Sequence, residues 1–240
     1  MTGYAAGWRW RELLGLLALG LVLMLLWRIP GLGWVVYPFR LFGTFVHEIS
    51  HGLAAFATGG SLDRFVVNPD LSGMAWSLGG VRWIVASAGY IGSAVFGALL
   101  VLLGRVVPAR ALLLVLGVLL ALLCVFFVRN VFGAITGLGL AAALMLAAVY
   151  LRGIWSEGLL LVLALQALLD GFGSVIDLFW ISTRGGVHTD AHTLAQLTGL
   201  PAPAWAVIWG LLSATLALIA LRIAYRAKPT TTLRTGSAST

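Results

Sequence analysis

Charge is scarce in this chain, and cysteine is almost missing. Only 10% of the 240 residues are charged, and eight are acidic; soluble domains carry about 25% charged residues. That shortage excludes an ordinary soluble domain. The single cysteine, Cys124, lies inside an apolar run, which excludes a disulfide framework and a cysteine-based metal site. Any metal must therefore be held by His, Asp or Glu. No internal repeat, low-complexity core or room for a separate soluble domain is found. The net charge of +7 comes from basic residues scattered at the ends of apolar runs, with a small cluster at Arg222, Arg226, Lys228 and Arg234. That distribution suits membrane topology and lipid headgroups, and nucleic acid is not expected as a partner.

Apolar sequence fills the rest. Hydrophobic residues make up 61% of the chain and the mean hydropathy is +1.04. A membrane-crossing helix needs about 20 apolar residues, and candidate spans are Leu13–Trp27, Trp34–Thr58, Val81–Leu103, Ala111–Val128, Val131–Leu151, Leu159–Ser182 and Ala204–Ile223. The expected fold is an all-α polytopic membrane protein with six or seven transmembrane helices. The ambiguity lies at Arg129-Asn130, where two runs join so tightly that one could be broken or re-entrant. The first run follows Arg9 and Arg11 like a signal peptide, but only "RIPGLGW" comes after it, without a small-residue cleavage site, so it reads as a retained span.

Residues 1–226 read as a single membrane-embedded domain and 227–240 as a disordered polar tail. The basic residues of the tail favour a cytoplasmic C terminus, and a bacterial cell membrane is the expected location. Ser61–Gly80 carries β-prone pieces around "NPDLSG", a turn composition, and reads as a short β-hairpin. Thr183–Pro203 reads as a polar connection.

Against this background "GTFVHEISHGLAAF", Gly43 to Phe56, stands out. Residues four apart share a helical face, so His47 and His51 can offer two imidazole nitrogens to one ion, with Glu48 close by. This is the HExxH arrangement. Ionisable side chains in a span cost about 2.5 kcal/mol or more each and are functional by default; three together need a shared partner. Zinc accepts two imidazoles and a third protein ligand, and leaves a position for a water whose pKa falls toward about 7. Glu48 is spaced to take the proton from that water, which is the chemistry of peptide hydrolysis.

Together with "FVVNPDLSGMAW" and the small-residue run "ASAGYIGSAVFGALL", the motif resembles the site-2 protease class of intramembrane zinc metalloproteases. The likeness is closer to a short bacterial and plant branch of that class. There the later elements correspond to "RNVFG" (Arg129–Gly133), "SVID" (Ser174–Asp177), "TDA" (Thr189–Ala191) and "WAVIWG" (Trp205–Gly210). The resemblance implies an intramembrane zinc protease acting on a membrane protein or peptide. In typical members the third ligand comes from an Asn-Pro…Asp-Gly element. The counterpart region "RNVFGAITGLG" has no aspartate, although Asp170 sits in a "LLDG" stretch one span later.

Three aspartates therefore compete as third ligand. Asp177, which matches Ser-x-x-Asp, is ranked first, then Asp190, then Asp170. Asp170 and Asp177 share one face of their helix, two turns apart, and Thr189-Asp190 is also a plausible helix N-cap. Asn130 is a candidate contact for substrate or a developing oxyanion. His188 and His192 are spaced as a second metal pair but lack a glutamate between them. The glycines at 89, 92 and 97 read as a close-packing surface, and the tryptophans, Trp205 and Trp209 included, as an interfacial belt.

The leading reading is a polytopic zinc endopeptidase whose hairpin holds an extended substrate by edge pairing. The alternatives are a catalytically inactive zinc-site scaffold or chaperone-like protein, and a transporter using His and Asp as proton relays. The spacing predicts about one zinc per chain, measured on purified protein by atomic absorption, and its loss in His47→Ala or His51→Ala. The loss should exceed the roughly 10–100-fold affinity change that outer-sphere substitutions cause; full retention in both variants would refute a shared ion.

Overall fold

The computed structural model describes the backbone of residues 10–29, 31–184 and 189–225, and the side chains of 14–29, 31–170 and 189–225. Its elements in chain order are α1 (Trp10–Arg28), α2 (Gly33–Ala57), β1 (Ser61–Val67), β2 (Gly73–Leu78), α3 (Arg82–Leu103), α4 (Ala109–Phe127), α5 (Val131–Tyr150), α6 (Ile154–Arg184), α7 (Asp190–Thr198) and α8 (Ala202–Ala224). The architecture is helical with one small hairpin directly after the HExxH helix, as the sequence leads one to expect, and the protein is an integral, multi-pass membrane protein.

The span count is lower than expected. Among the described residues α3, α4, α5 and α8 are each long and apolar enough to cross a membrane, and α1 and α2 qualify together as one bent pair, giving four or five. Helix α2 falls short alone because it contains Pro38 together with Arg40, His47, Glu48 and His51; α6 is described with its side chains only as far as Asp170 and so does not enter this count. The tail from 226 onward and Asp177's side chain lie outside the described residues.

Helix α3 occupies the middle, packed on α2, α6 and α8. Its buried face is built of Ala86, Ser87, Gly89, Ser93, Ala94, Gly97 and Ala98, and such small residues let helix backbones approach closely in lipid. A Cβ on Gly97 would stand 2.6 Å from the Ala164 carbonyl oxygen and 2.8 Å from the Leu168 nitrogen of α6. A Cβ on Gly92 would overlap Ser50 of α2, and one on Gly89 would overlap the His47 ring. The glycines thus set both separations that matter to α2 and α6.

An isolated two-stranded hairpin is marginal, and this one is tied down on several sides. Strands β1 and β2 pair antiparallel from Ser61 opposite Leu78 to Val67 opposite Gly73, with an irregularity at Asp63. The turn is closed by Asp70, whose Oδ1 accepts from the Ser72 nitrogen at 3.0 Å and from its hydroxyl at 2.6 Å. Those two bonds hold the Asp70 carboxyl below its usual range. Helix α2 reaches up to the turn, Tyr37 donating to the Pro69 carbonyl at 2.7 Å and Thr44 to that of Leu71 at 3.0 Å. Phe65 and Val67 are fully buried beneath the hairpin, and Phe65 meets Phe45 of α2 edge-on at 6.1 Å.

The tight junction at Arg129-Asn130 is a break between two separate helices. The Arg129 guanidinium donates to the carbonyls of Val125, Phe126 and Val128, which closes the end of α4. Its backbone nitrogen donates to Phe65 of β1 at 3.1 Å, and Val128 forms a parallel bridge to the same residue. The outer edge of β1 is thereby covered.

Adding a methyl at Gly97 forces backbone against backbone, and overpacking of that kind costs about 1–3 kcal/mol. Gly97→Ala is accordingly expected to lower the thermal unfolding midpoint in detergent. Gly139→Ala, on α5 with no atom within 4 Å of the new Cβ, is expected not to lower it. Equal midpoints for the two variants would contradict the close α3–α6 contact.

Candidate metal centre and active site

Helix geometry brings His47 and His51 onto one face of α2, with ring centroids 5.0 Å apart. The Nδ1 of His51 lies 2.7 Å from the backbone carbonyl of Val85 in α3. A carbonyl only accepts, so this nitrogen carries a proton, and Nε2 is the nitrogen turned to Asp190. His47 is seated against Gly89, and the Tyr90 ring meets it edge-on at 4.5 Å. Tyr90 in turn stacks on Trp209 at 4.9 Å. Trp209 is completely buried, in a cluster with Ala86, Ala191, Leu194, Ala202 and Ala206, so it belongs to the packing behind the site and not to an interfacial belt. The small alanines around it make the room.

The opposing carboxylate arrives on α7. Thr189 is the N-cap of this short helix, its hydroxyl accepting from the His192 nitrogen and hydrogen-bonding His192 Nδ1 at 2.9 Å. Ala191 and Leu194 are fully buried and anchor the helix, and Gly199 ends it at a φ of 76°. The capping role falls to Thr189, which leaves Asp190, the first helical residue, free to face inward. Its Oδ2 lies 3.2 Å from His47 Nε2 and 3.4 Å from His51 Nε2. Burial alone would raise the Asp190 carboxyl, but the charges and hydrogen bonds of His51 and His47 more than offset it and hold the carboxyl below its usual range.

These three donor atoms suit zinc. One nitrogen from each histidine and one Asp190 oxygen all lie within 4.8 Å of one another. A tetrahedral ion with bonds of about 2.1 Å sets its ligand atoms about 3.4 Å apart, close to the separations from Asp190 to each imidazole. Two imidazoles and a carboxylate are also the donor set of known three-ligand zinc hydrolase sites.

Glu48 lies against the hairpin. It is 4% exposed, and a Cβ on Gly73, the first residue of β2, would overlap its carboxylate. Only glycine lets β2 run this close to the Glu48 side chain, so the strand and the acid are neighbours by construction.

The other candidate residues take different places. Asp170 of α6 presents Oδ2 to His47 Nδ1 at 3.2 Å, on the side of the ring away from Asp190. Asp177 lies on the same helix, but its side chain is outside the described residues, as is His188. Both ends of the Asn130 amide are engaged: Oδ1 accepts from the Val67 nitrogen at 3.2 Å and Nδ2 donates to the Val67 carbonyl at 2.7 Å. Asn130 therefore extends the hydrogen bonding along β1. Sequence reasoning missed the Val85 carbonyl, the Tyr90–Trp209 stack and the Gly73 approach. The glycine at the end of "NPDLSG" was the only signal for any of them.

No curated protein and no solved structure matches the chain. The Peptidase M50B-like family model does match, over residues 13–220. That stretch includes the HExxH helix, the hairpin, Asp170 and Asp190, and the chain belongs to this family of site-2 protease-like membrane peptidases.

Proposed function

We propose that this protein is an intramembrane zinc endopeptidase in which His47, His51 and Asp190 hold the metal and Glu48 is the general base. The observation that carries the reading is the Asp190 Oδ2 facing both imidazole Nε2 atoms, at 3.2 and 3.4 Å. A zinc ion bound there supplies Lewis acidity, polarising a carbonyl and lowering the pKa of water toward about 7.

The chain's own groups perform the proton chemistry. Glu48 takes a proton from the attacking water as its oxygen bonds to the carbonyl carbon, then passes that proton to the leaving amide nitrogen as the C–N bond breaks. Because Glu48 is buried against Gly73, the substrate carbonyl must come alongside β2. Among the described residues the outer edge of β2 carries no partner strand, whereas that of β1 is occupied by Val128 to Asn130. An extended peptide adding to β2 by main-chain hydrogen bonds would run past Gly73 and deliver its carbonyl to Glu48. A helical membrane substrate must unwind locally to do so. The substrate class is therefore a membrane protein or membrane-inserted peptide with a segment that gives up helix easily. The basic residues of the tail favour a cytoplasmic C terminus in a bacterial cell membrane.

One substitution separates this reading from a scaffold that has kept a metal site. Glu48→Gln retains size and burial but cannot accept the proton; zinc content should be unchanged while cleavage of a reporter peptide in proteoliposomes falls by roughly 100-fold or more. Wild-type cleavage by this variant would refute the mechanism. Asp190→Ala should lose zinc as severely as His47→Ala, and Asp177→Ala should retain it. The reverse pattern would give the third-ligand role to Asp177, the residue ranked first on sequence pattern, and leave the histidines and Glu48 unaffected.

A further inference from the structure

Asp170 has no part in the chemistry described so far, yet its carboxylate is aimed at the same histidine that Asp190 faces. The two aspartates meet His47 at different nitrogens: Asp170 Oδ2 at Nδ1 and Asp190 Oδ2 at Nε2, both at 3.2 Å. The ring lone pairs diverge, so an ion on the Nε2 side cannot also be reached by an oxygen seated at Nδ1. The choice of nitrogen is set by the neighbouring histidine. His51 commits Nδ1 to the Val85 carbonyl and offers Nε2, and the only His47 nitrogen that shares an Asp190 oxygen with it is also Nε2.

We propose that Asp170 is a positioning residue, whose carboxylate accepts the Nδ1 proton of His47 and so holds the ring with Nε2 toward the metal. The proposal rests on the reading of His47 as a zinc ligand. The two imidazoles are then held in the same way, one by a backbone carbonyl from α3 and the other by a carboxylate from α6. An acceptor on the far nitrogen fixes the tautomer and ring orientation, and a carboxylate acceptor also raises the basicity of the ligating nitrogen.

The fold supplies the reach. Gly97 brings α3 against α6 at Ala164 and Leu168, the latter less than one turn before Asp170, and Gly89 of the same helix leaves the gap that admits the His47 ring. With Tyr90 against the ring's edge, His47 is confined by α3 and hydrogen-bonded by α6. The "LLDG" stretch thus contributes an aspartate to the centre without making it a ligand.

The test uses the full chain in detergent, with zinc affinity read by competition against a chromophoric chelator and geometry by the visible spectrum of the cobalt(II)-substituted protein. Asp170→Ala is expected to bind zinc roughly 10–100-fold more weakly, with cobalt bands at wild-type positions and intensities. Asp170→Asn, which keeps an oxygen acceptor and the side-chain size, should recover most of that affinity, and Asp190→Ala should lose zinc and change the cobalt spectrum. Wild-type affinity in Asp170→Ala overturns the proposal. So does a cobalt spectrum altered as in Asp190→Ala, which would make Asp170 a ligand, and so does an Asn variant as weak as the Ala variant, which would show that an oxygen acceptor at Nδ1 is not what holds the ring. Wild-type zinc affinity in His47→Ala would be a separate failure, that of the metal reading itself.

Discussion

One carboxylate oxygen facing two imidazole nitrogens is the arrangement on which the rest of this structure depends. His47, Glu48 and His51 sit in a helix flanked by lipid-length apolar segments, where each ionisable group costs about 2.5–3.5 kcal/mol by insertion scales. Isolated, they would make α2 a poor membrane element. Held together by Asp190 at 3.2 and 3.4 Å, with Val85 and Asp170 on the remaining ring nitrogens, the two imidazoles have a partner at every polar atom. The free-energy cost of burying them is offset by contacts that only this constellation provides.

Much of the surrounding architecture serves that convergence. The partners come from three different helices, α3, α6 and α7, and they can reach α2 only because small residues remove side-chain bulk between backbones. Gly89 admits the His47 ring, Gly97 draws in α6, and Gly73 lets β2 lie against Glu48. The hairpin is held in turn by Tyr37 and Thr44 of α2 and by the Arg129-Asn130 junction. Glu48 and the unpaired edge of β2 are consequently fixed to one scaffold, so in the proposed mechanism a peptide bound at that edge would meet Glu48 in a set orientation.

Parts of this were readable in the sequence for definite physical reasons. Helical periodicity and the cost of intramembrane charge identify His47, Glu48 and His51 as one functional unit, and the turn chemistry of "NPDLSG" predicts the hairpin where it is found. The packing role of the small-residue helix also comes from its composition. Asp190, the carboxylate that faces both imidazoles, was ranked behind Asp177, because motif likeness ranks aspartates by their neighbours in sequence and not by position in space. Asp190 looked divided between cap and ligand until the cap proved to be Thr189. Asn130 was a candidate contact for substrate or an oxyanion, and nothing local reveals that its amide pairs with Val67, 63 positions earlier. The span count among the described residues is lower for a related reason: α2 is long enough, but it carries the charged and polar groups of the site.

Local structure at a bound metal tests the central claim most directly. X-ray absorption at the zinc edge of the purified, zinc-loaded protein should report two imidazoles and oxygen donors with bonds of about 2.0–2.2 Å and no sulfur. One of those oxygens should disappear, together with most of the zinc, in Asp190→Ala. A protein that binds no zinc, or whose zinc is coordinated by fewer than two imidazoles, would contradict the account.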